Sequence, residues 1–172
     1  MKLSPKCHTS GTTLVEILVA TLLLASFFAS LFEANAVCLR FIAASKQSVG
    51  AIEAVQARAE VFRNLAFSDL TTTSFVQNLL ATAANTSDFA KSATEVVKIS
   101  AYPTANGVTQ MTRATNGTVS LDSTATSLGP SSPPGSPPAL VKVDISQTWT
   151  QVLGGRQRTE QTSLIISNGT KK

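Results

Sequence analysis

The stretch Ser10–Phe32, SGTTLVEILVATLLLASFFASLF, carries one charge, Glu16, in a run otherwise apolar enough to cross a membrane. A helix from Leu14 to Phe32 rises 1.5 Å per residue and covers about 28 Å, close to the hydrocarbon thickness of a bilayer. Ahead of it, residues 1–11 (MKLSPKCHTSG) are polar and positive through Lys2 and Lys6. The positive-inside rule puts that leader on the cytoplasmic side, although Arg40 and Lys46 beyond the run reduce the asymmetry. An isolated carboxylate in hydrocarbon is disfavoured by a few kcal/mol, less near the interface. Glu16 therefore requires an explanation that the rest of the chain must supply.

Only 14% of the 172 residues are charged, and Ser and Thr are abundant. With the apolar run, this composition points to an exported or envelope protein. The formal charge is +4, half of it from the two leader lysines, and no basic run forms a nucleic-acid footprint. The two cysteines, Cys7 and Cys38, flank the apolar run, so a helix between them holds them too far apart for a disulfide. The only histidine, His8, precedes the run, which removes Ser-His, Cys-His and histidine-based metal arrangements. The acidic residues Glu33, Glu53, Glu60, Asp69, Asp88, Glu95, Asp122, Asp144 and Glu160 show no metal-ligand spacing. No glycine-rich phosphate loop occurs. The expectation is a chain with no catalytic residues, no cofactor and no metal.

The helical signal runs on past the apolar segment. No proline interrupts residues 12–70, and Gly50 is the one weak helix former of note. Ile42, Val49, Ile52, Val55, Ala59, Phe62 and Ala66 recur at spacings of three, four or seven and form an apolar stripe. Lys46, Glu53, Gln56, Arg58, Glu60 and Arg63 take the remaining surface. The pattern predicts one helix of about 55 residues, greasy all round over 12–33 and amphipathic over 34–70.

Residues 71–172 form the rest of the domain. Thr71–Ser92 reads as a connecting region with a short helix over Ser74–Ala84. Glu95–Tyr102, Gly107–Thr112 and Gly117–Leu121 are short, β-branched and bounded by Asn, Gly or Pro, as strands are. Gly129–Pro138, GPSSPPGSPP, can join neither helix nor ladder and reads as an exposed spacer loop. Leu140–Val152 and Arg156–Ser167 read as an antiparallel hairpin, with Gly154-Gly155 supplying the positive φ of its turn. Val141, Val143, Ile145, Gln147 and Trp149 share one face of that hairpin, and Trp149 is expected to anchor the core. This face is the expected cover for the helical stripe, giving an α+β fold: a long N-terminal helix on a small antiparallel sheet.

Gly11 followed by TTLVEILVATLLLASFF, with Glu16 four residues after Thr12, resembles the processing signal of type IV pilins and pseudopilins. The layout of helix, connecting region and sheet is similar to that family over nearly the whole chain. The resemblance implies a prepilin peptidase that cuts after Gly11, leaving Thr12 as the new, methylated N-terminus. Glu16 matches the family's acidic assembly residue, which pairs with the N-terminus of a neighbouring subunit. Thr12 departs from the phenylalanine the family prefers. The N-terminal helix lacks the family's prolines, and no C-terminal disulfide can form. These departures imply a minor pilin or minor pseudopilin. Its partners would be other pilins or pseudopilins through the N-terminal helix, the peptidase and inner-membrane lipid, in a type IV pilus or a type II secretion pseudopilus. Two other readings stay open. An ordinary signal peptide cut after Ala36 would release a soluble binding domain, and a single-pass anchor with Glu16 at the interface would keep Met1.

Overall fold

The structure is a computed structural model that describes residues 13–103, 108–122 and 140–169. The leader, Gly11, Thr12 and the Pro-rich loop 129–138 lie outside the described residues. The fold is α+β. One long helix, α1 (Leu14–Asn64), precedes three short ones, α2 (Phe67–Leu70), α3 (Thr73–Leu80) and α4 (Asp88–Ser92). Five strands follow: β1 (Thr94–Ala101), β2 (Val108–Arg113), β3 (Val119–Leu121), β4 (Leu140–Thr150) and β5 (Gln157–Ser167). They form one antiparallel sheet in the order β3-β2-β1-β4-β5. The chain divides into two compact units, Met1–Ile42 and Ala43–Lys172.

In the second unit, the C-terminal part of α1 packs on the sheet. Ala59 and Phe62 join Val97, Ile99, Met111, Val141, Val143, Ile145 and Leu164 in one buried cluster, closed at one end by Leu70, Val76 and Leu80. Strand alternation places these sheet residues on one face. The β4–β5 pairing runs from Leu140↔Ser167 to Thr150↔Gln157. Its turn closes with the Gln151 N–H donating to the Arg156 carbonyl at 2.8 Å. Gly154 and Gly155 take φ of 79° and 63° there, a region that side chains with a Cβ disfavour.

The helical stripe differs from its expected course. Val55, Ala59 and Phe62 are buried, but Ile42, Val49 and Ile52 are 51%, 55% and 44% exposed, and Ala66 is exposed. Small residues face inward in their place: Ala44, Ala51 and Ala54 are buried. Small side chains suit a face with little spare room, as at neighbouring Gly50, where an added Cβ would lie 3.2 Å from Phe89. The helix also stops at Asn64, short of residue 70. Ala66 is extended (φ −67°, ψ 145°) and starts the separate turn of α2. The break redirects the chain so that Leu70 reaches the core, where it is buried, with Leu65 and Phe67 packed beside it. The expected helix over Ser74–Ala84 is shorter, Thr73–Leu80, and α4 was not anticipated. Trp149 is half-buried at the margin of the core, packed edge-to-face on Phe89 with ring centroids 5.3 Å apart.

The largest departure is Arg58, expected at the surface. It is 2% exposed and forms a two-pronged ion pair with Glu95, which is 0% exposed. Nε and Nη2 donate to the two carboxylate oxygens at 2.7 and 2.9 Å. The same guanidinium donates to the carbonyls of Thr82 at 2.7 Å and Leu79 at 3.3 Å. One side chain thus ties α1 to the first strand and to the segment that leaves α3. Removing one partner of such a pair leaves a buried charge uncompensated, at a cost of about 3–5 kcal/mol. Arg58→Met is expected to lower the melting temperature of the full chain sharply. Arg58→Met combined with Glu95→Leu should recover most of the loss, as read by circular dichroism in detergent. A double variant no more stable than the single one would contradict this account.

Candidate functional site

The sequence Thr13-Leu14-Val15-Glu16 accounts for the start of α1 at Leu14. The Thr13 hydroxyl accepts from the Glu16 backbone N–H at 3.3 Å. The Glu16 carboxylate reaches back to accept from the Thr13 backbone N–H at 3.2 Å. This is a reciprocal capping box: it gives the Thr13 N–H an acceptor and adds a second one for the Glu16 N–H, which also donates to the Thr13 carbonyl at 2.9 Å. A negative charge in the first turn also complements the helix dipole. Glu16 therefore has a local task at the helix start. Of the expected site residues, Gly11 and Thr12 lie outside the described residues, and Glu16 stands one turn from the point where they join the helix.

Beyond the cap, α1 presents its apolar side chains outward. Every described residue from Leu14 to Ile42 is exposed, and the helix is long and apolar enough to cross a membrane. Its hydroxyl side chains are satisfied within it. The hydroxyls of Thr21, Ser26 and Ser30 donate to the carbonyls of Leu18, Leu23 and Phe27 at 2.8–2.9 Å. Such back-bonding lets a hydroxyl enter hydrocarbon without an orphaned donor, a requirement that lipid imposes and water does not.

A second polar group lies inside the folded unit. Strand register sets Arg113 of β2 and Gln147 of β4 on either side of Glu95, and all three are buried. The Arg113 guanidinium donates through Nη1 to the carbonyl of Ala90 at 3.2 Å, at the end of α4. Gln147 is 0% exposed, yet among the described residues neither polar atom of its carboxamide has a hydrogen-bond partner. The alternating pattern of β4 had placed Gln147 inward; the ion pair beside it had no sequence signal, because Arg58 and Glu95 are 37 residues apart.

The face of the sheet turned away from α1 is polar. Asp144 there is paired with Lys142 at 2.8 Å and accepts from the Ser163 hydroxyl. Burial pushes its carboxyl up, but those hydrogen bonds and the charges of Lys142 and Lys98 outweigh this and hold it below the usual carboxylate range. Among the described residues no three His, Cys, Asp or Glu side chains gather as metal ligands would. Comparison of the chain with family profiles, curated proteins and solved structures finds no match to any of them.

Two outcomes follow from this geometry. Thr13→Ala should remove the cap and speed amide exchange over the first turn of α1 by roughly fivefold, the equivalent of about 1 kcal/mol; hydrogen exchange in micelles reads it. Gln147→Met should raise the stability of the full chain by about 1 kcal/mol, because it removes a buried amide that no protein group satisfies. An unchanged or lowered denaturation midpoint for Gln147→Met would overturn that assignment.

Proposed function

We propose that the chain is a minor pilin or minor pseudopilin, held in a bacterial inner membrane by the first half of α1 before it enters a filament. The observation that carries this reading is one uninterrupted helix whose first part is apolar and outward-facing, opens on a lone acidic residue, and whose last part packs on an antiparallel sheet. A rod of this kind offers lipid and neighbouring helices the same greasy surface. It would exchange one for the other at little cost, since lipid tails are as apolar as leucine.

Glu16 supplies what greasy surfaces lack, a register. Cleavage after Gly11 creates an ammonium at Thr12, one residue from the Thr13 N–H that the carboxylate already accepts from. The capping carboxylate would then face two donors of different strength: a neutral amide of its own helix and a charged ammonium, its own or that of a neighbour. Charge-assisted hydrogen bonds are roughly twice as strong as neutral ones. In an assembling filament the neighbour's ammonium would fix the axial position of each subunit. The partners of this reading are other pilins or pseudopilins, the prepilin peptidase and membrane lipid, and the work is structural.

A second reading, a plain single-pass anchor, is favoured by one observation: the capping box accounts for Glu16 without any neighbour. Release by cutting after Ala36 has less support, because Ala36 lies within the unbroken helix α1. N-terminal sequencing of the mature protein separates the three, with Thr12, Met1 or Val37 as first residue. We expect Thr12, and we expect Gly11→Leu to leave an uncut precursor. Glu16→Ala should still be cut and inserted but excluded from the filament; its normal incorporation would refute the pairing role.

A further inference from the structure

A cavity of about 330 Å3 lies beside α4 in the folded unit. Two aromatic rings, Phe89 and Trp149, form its apolar part. They meet edge-to-face with an interplanar angle of 80°. Every other lining side chain carries a hydroxyl or a carboxamide, and none carries a charge. Gln47 comes from α1, Thr94 from β1, Thr115 from the β2–β3 turn and Gln157 from the start of β5. Separate segments of the chain therefore converge on one uncharged, hydrogen-bonding rim around an aromatic pair.

The pocket is held in shape by its surroundings. A Cβ added at Gly50 would lie 3.2 Å from Phe89 Cβ and Cγ, closer than carbon atoms normally pack, so the aromatic side chain sits against bare helix backbone. This explains the single glycine within the described length of α1. Gln47 Oε1 accepts from the Val152 N–H at 3.1 Å, which fixes its carboxamide and leaves its nitrogen to donate. The Trp149 indole N–H, a donor only, has no acceptor among the described residues.

We propose that this pocket binds one neutral sugar ring, free or at the end of a glycan. A pyranose has an apolar C–H face that packs on aromatic rings, and hydroxyls around its edge that both donate and accept, as Gln, Ser and Thr do. A charged ligand would find no counter-ion here, and a purely apolar one would leave the rim's hydroxyls and amides unpaired. The volume sits near the lower end of small-molecule pockets, roughly 300–1,000 Å3, which suits one ring. The proposal does not rest on the filament reading: a subunit, an anchored protein or a released domain would all carry the pocket.

Trp149 is the only tryptophan of the chain, so intrinsic fluorescence reports from the pocket itself. The full chain, in a phosphocholine detergent free of sugar headgroups, is titrated with glucose, galactose, N-acetylglucosamine and a glucose oligosaccharide. A saturable change in emission is expected with at least one of them, with a dissociation constant in the millimolar range. Thr115→Val with Gln157→Leu, both at exposed positions, should weaken it about tenfold. The emission of the sugar-free variant serves as the control that the aromatic pair is intact. Tighter binding of the oligosaccharide than of its monomer identifies a glycan end, and equal binding a free sugar. A response that is only linear for all four probes, or saturable binding indifferent to the double variant, overturns the proposal.

Discussion

The folded unit depends on a cation that has no route to water. Arg58 lies on the buried face of α1, and among the described residues its guanidinium is satisfied by Glu95 and the carbonyls of Leu79 and Thr82. Attraction between the two charges is not a clear gain, because both were stripped of water to make it. What the pair does enforce is uniqueness. A helix turned by one residue, or a strand slipped by one, would strand a charge in a dry interior. Apolar packing alone tolerates many near-equivalent arrangements; a buried ion pair with fixed fork geometry tolerates very few.

The same helix obeys two rules along its length. From Leu14 to Ile42 the described residues all face outward, and hydroxyls fold back onto their own backbone. From Ala44 onward the inward positions are alanines, then Val55, Arg58, Ala59 and Phe62. The first part is built for a medium without hydrogen-bonding partners, the second for one specific surface. Glu16 stands at the opening of the first part, where its carboxylate caps the helix and adds a charge that a neighbouring ammonium could take over. In the proposed filament, a capped helix end and a register mark would be compatible uses of one carboxylate, since they would compete for it only where subunits meet.

The conclusions about function rest on the N-terminal residues more than on the sheet. A small antiparallel sheet covered by a helix is an architecture open to many tasks. The pocket between Phe89 and Trp149 shows the complementary point. Its chemistry arises where loop, helix and strand ends converge, and such places vary without disturbing a core.

Periodicity alone was enough to mark the long helix, the β4–β5 hairpin with its Gly154-Gly155 turn, and all five strands to within a residue or two. Those features are local: a period of 3.6 or 2, and glycines where φ must be positive. The lone carboxylate of Glu16 was equally plain, because a charge in an apolar run needs no partner to be noticed. The side of α1 that meets the sheet was decided elsewhere. Ile42, Val49 and Ile52 are the more hydrophobic side chains, yet Ala44, Ala51 and Ala54 are buried, beside a glycine, Gly50, where even a Cβ would crowd Phe89. Arg58 and Glu95 look like ordinary surface residues until a fold brings residues 37 apart into one dry space. Hydropathy measures each residue's own preference for water. Which preferences are overruled is settled only when distant segments compete for the same volume.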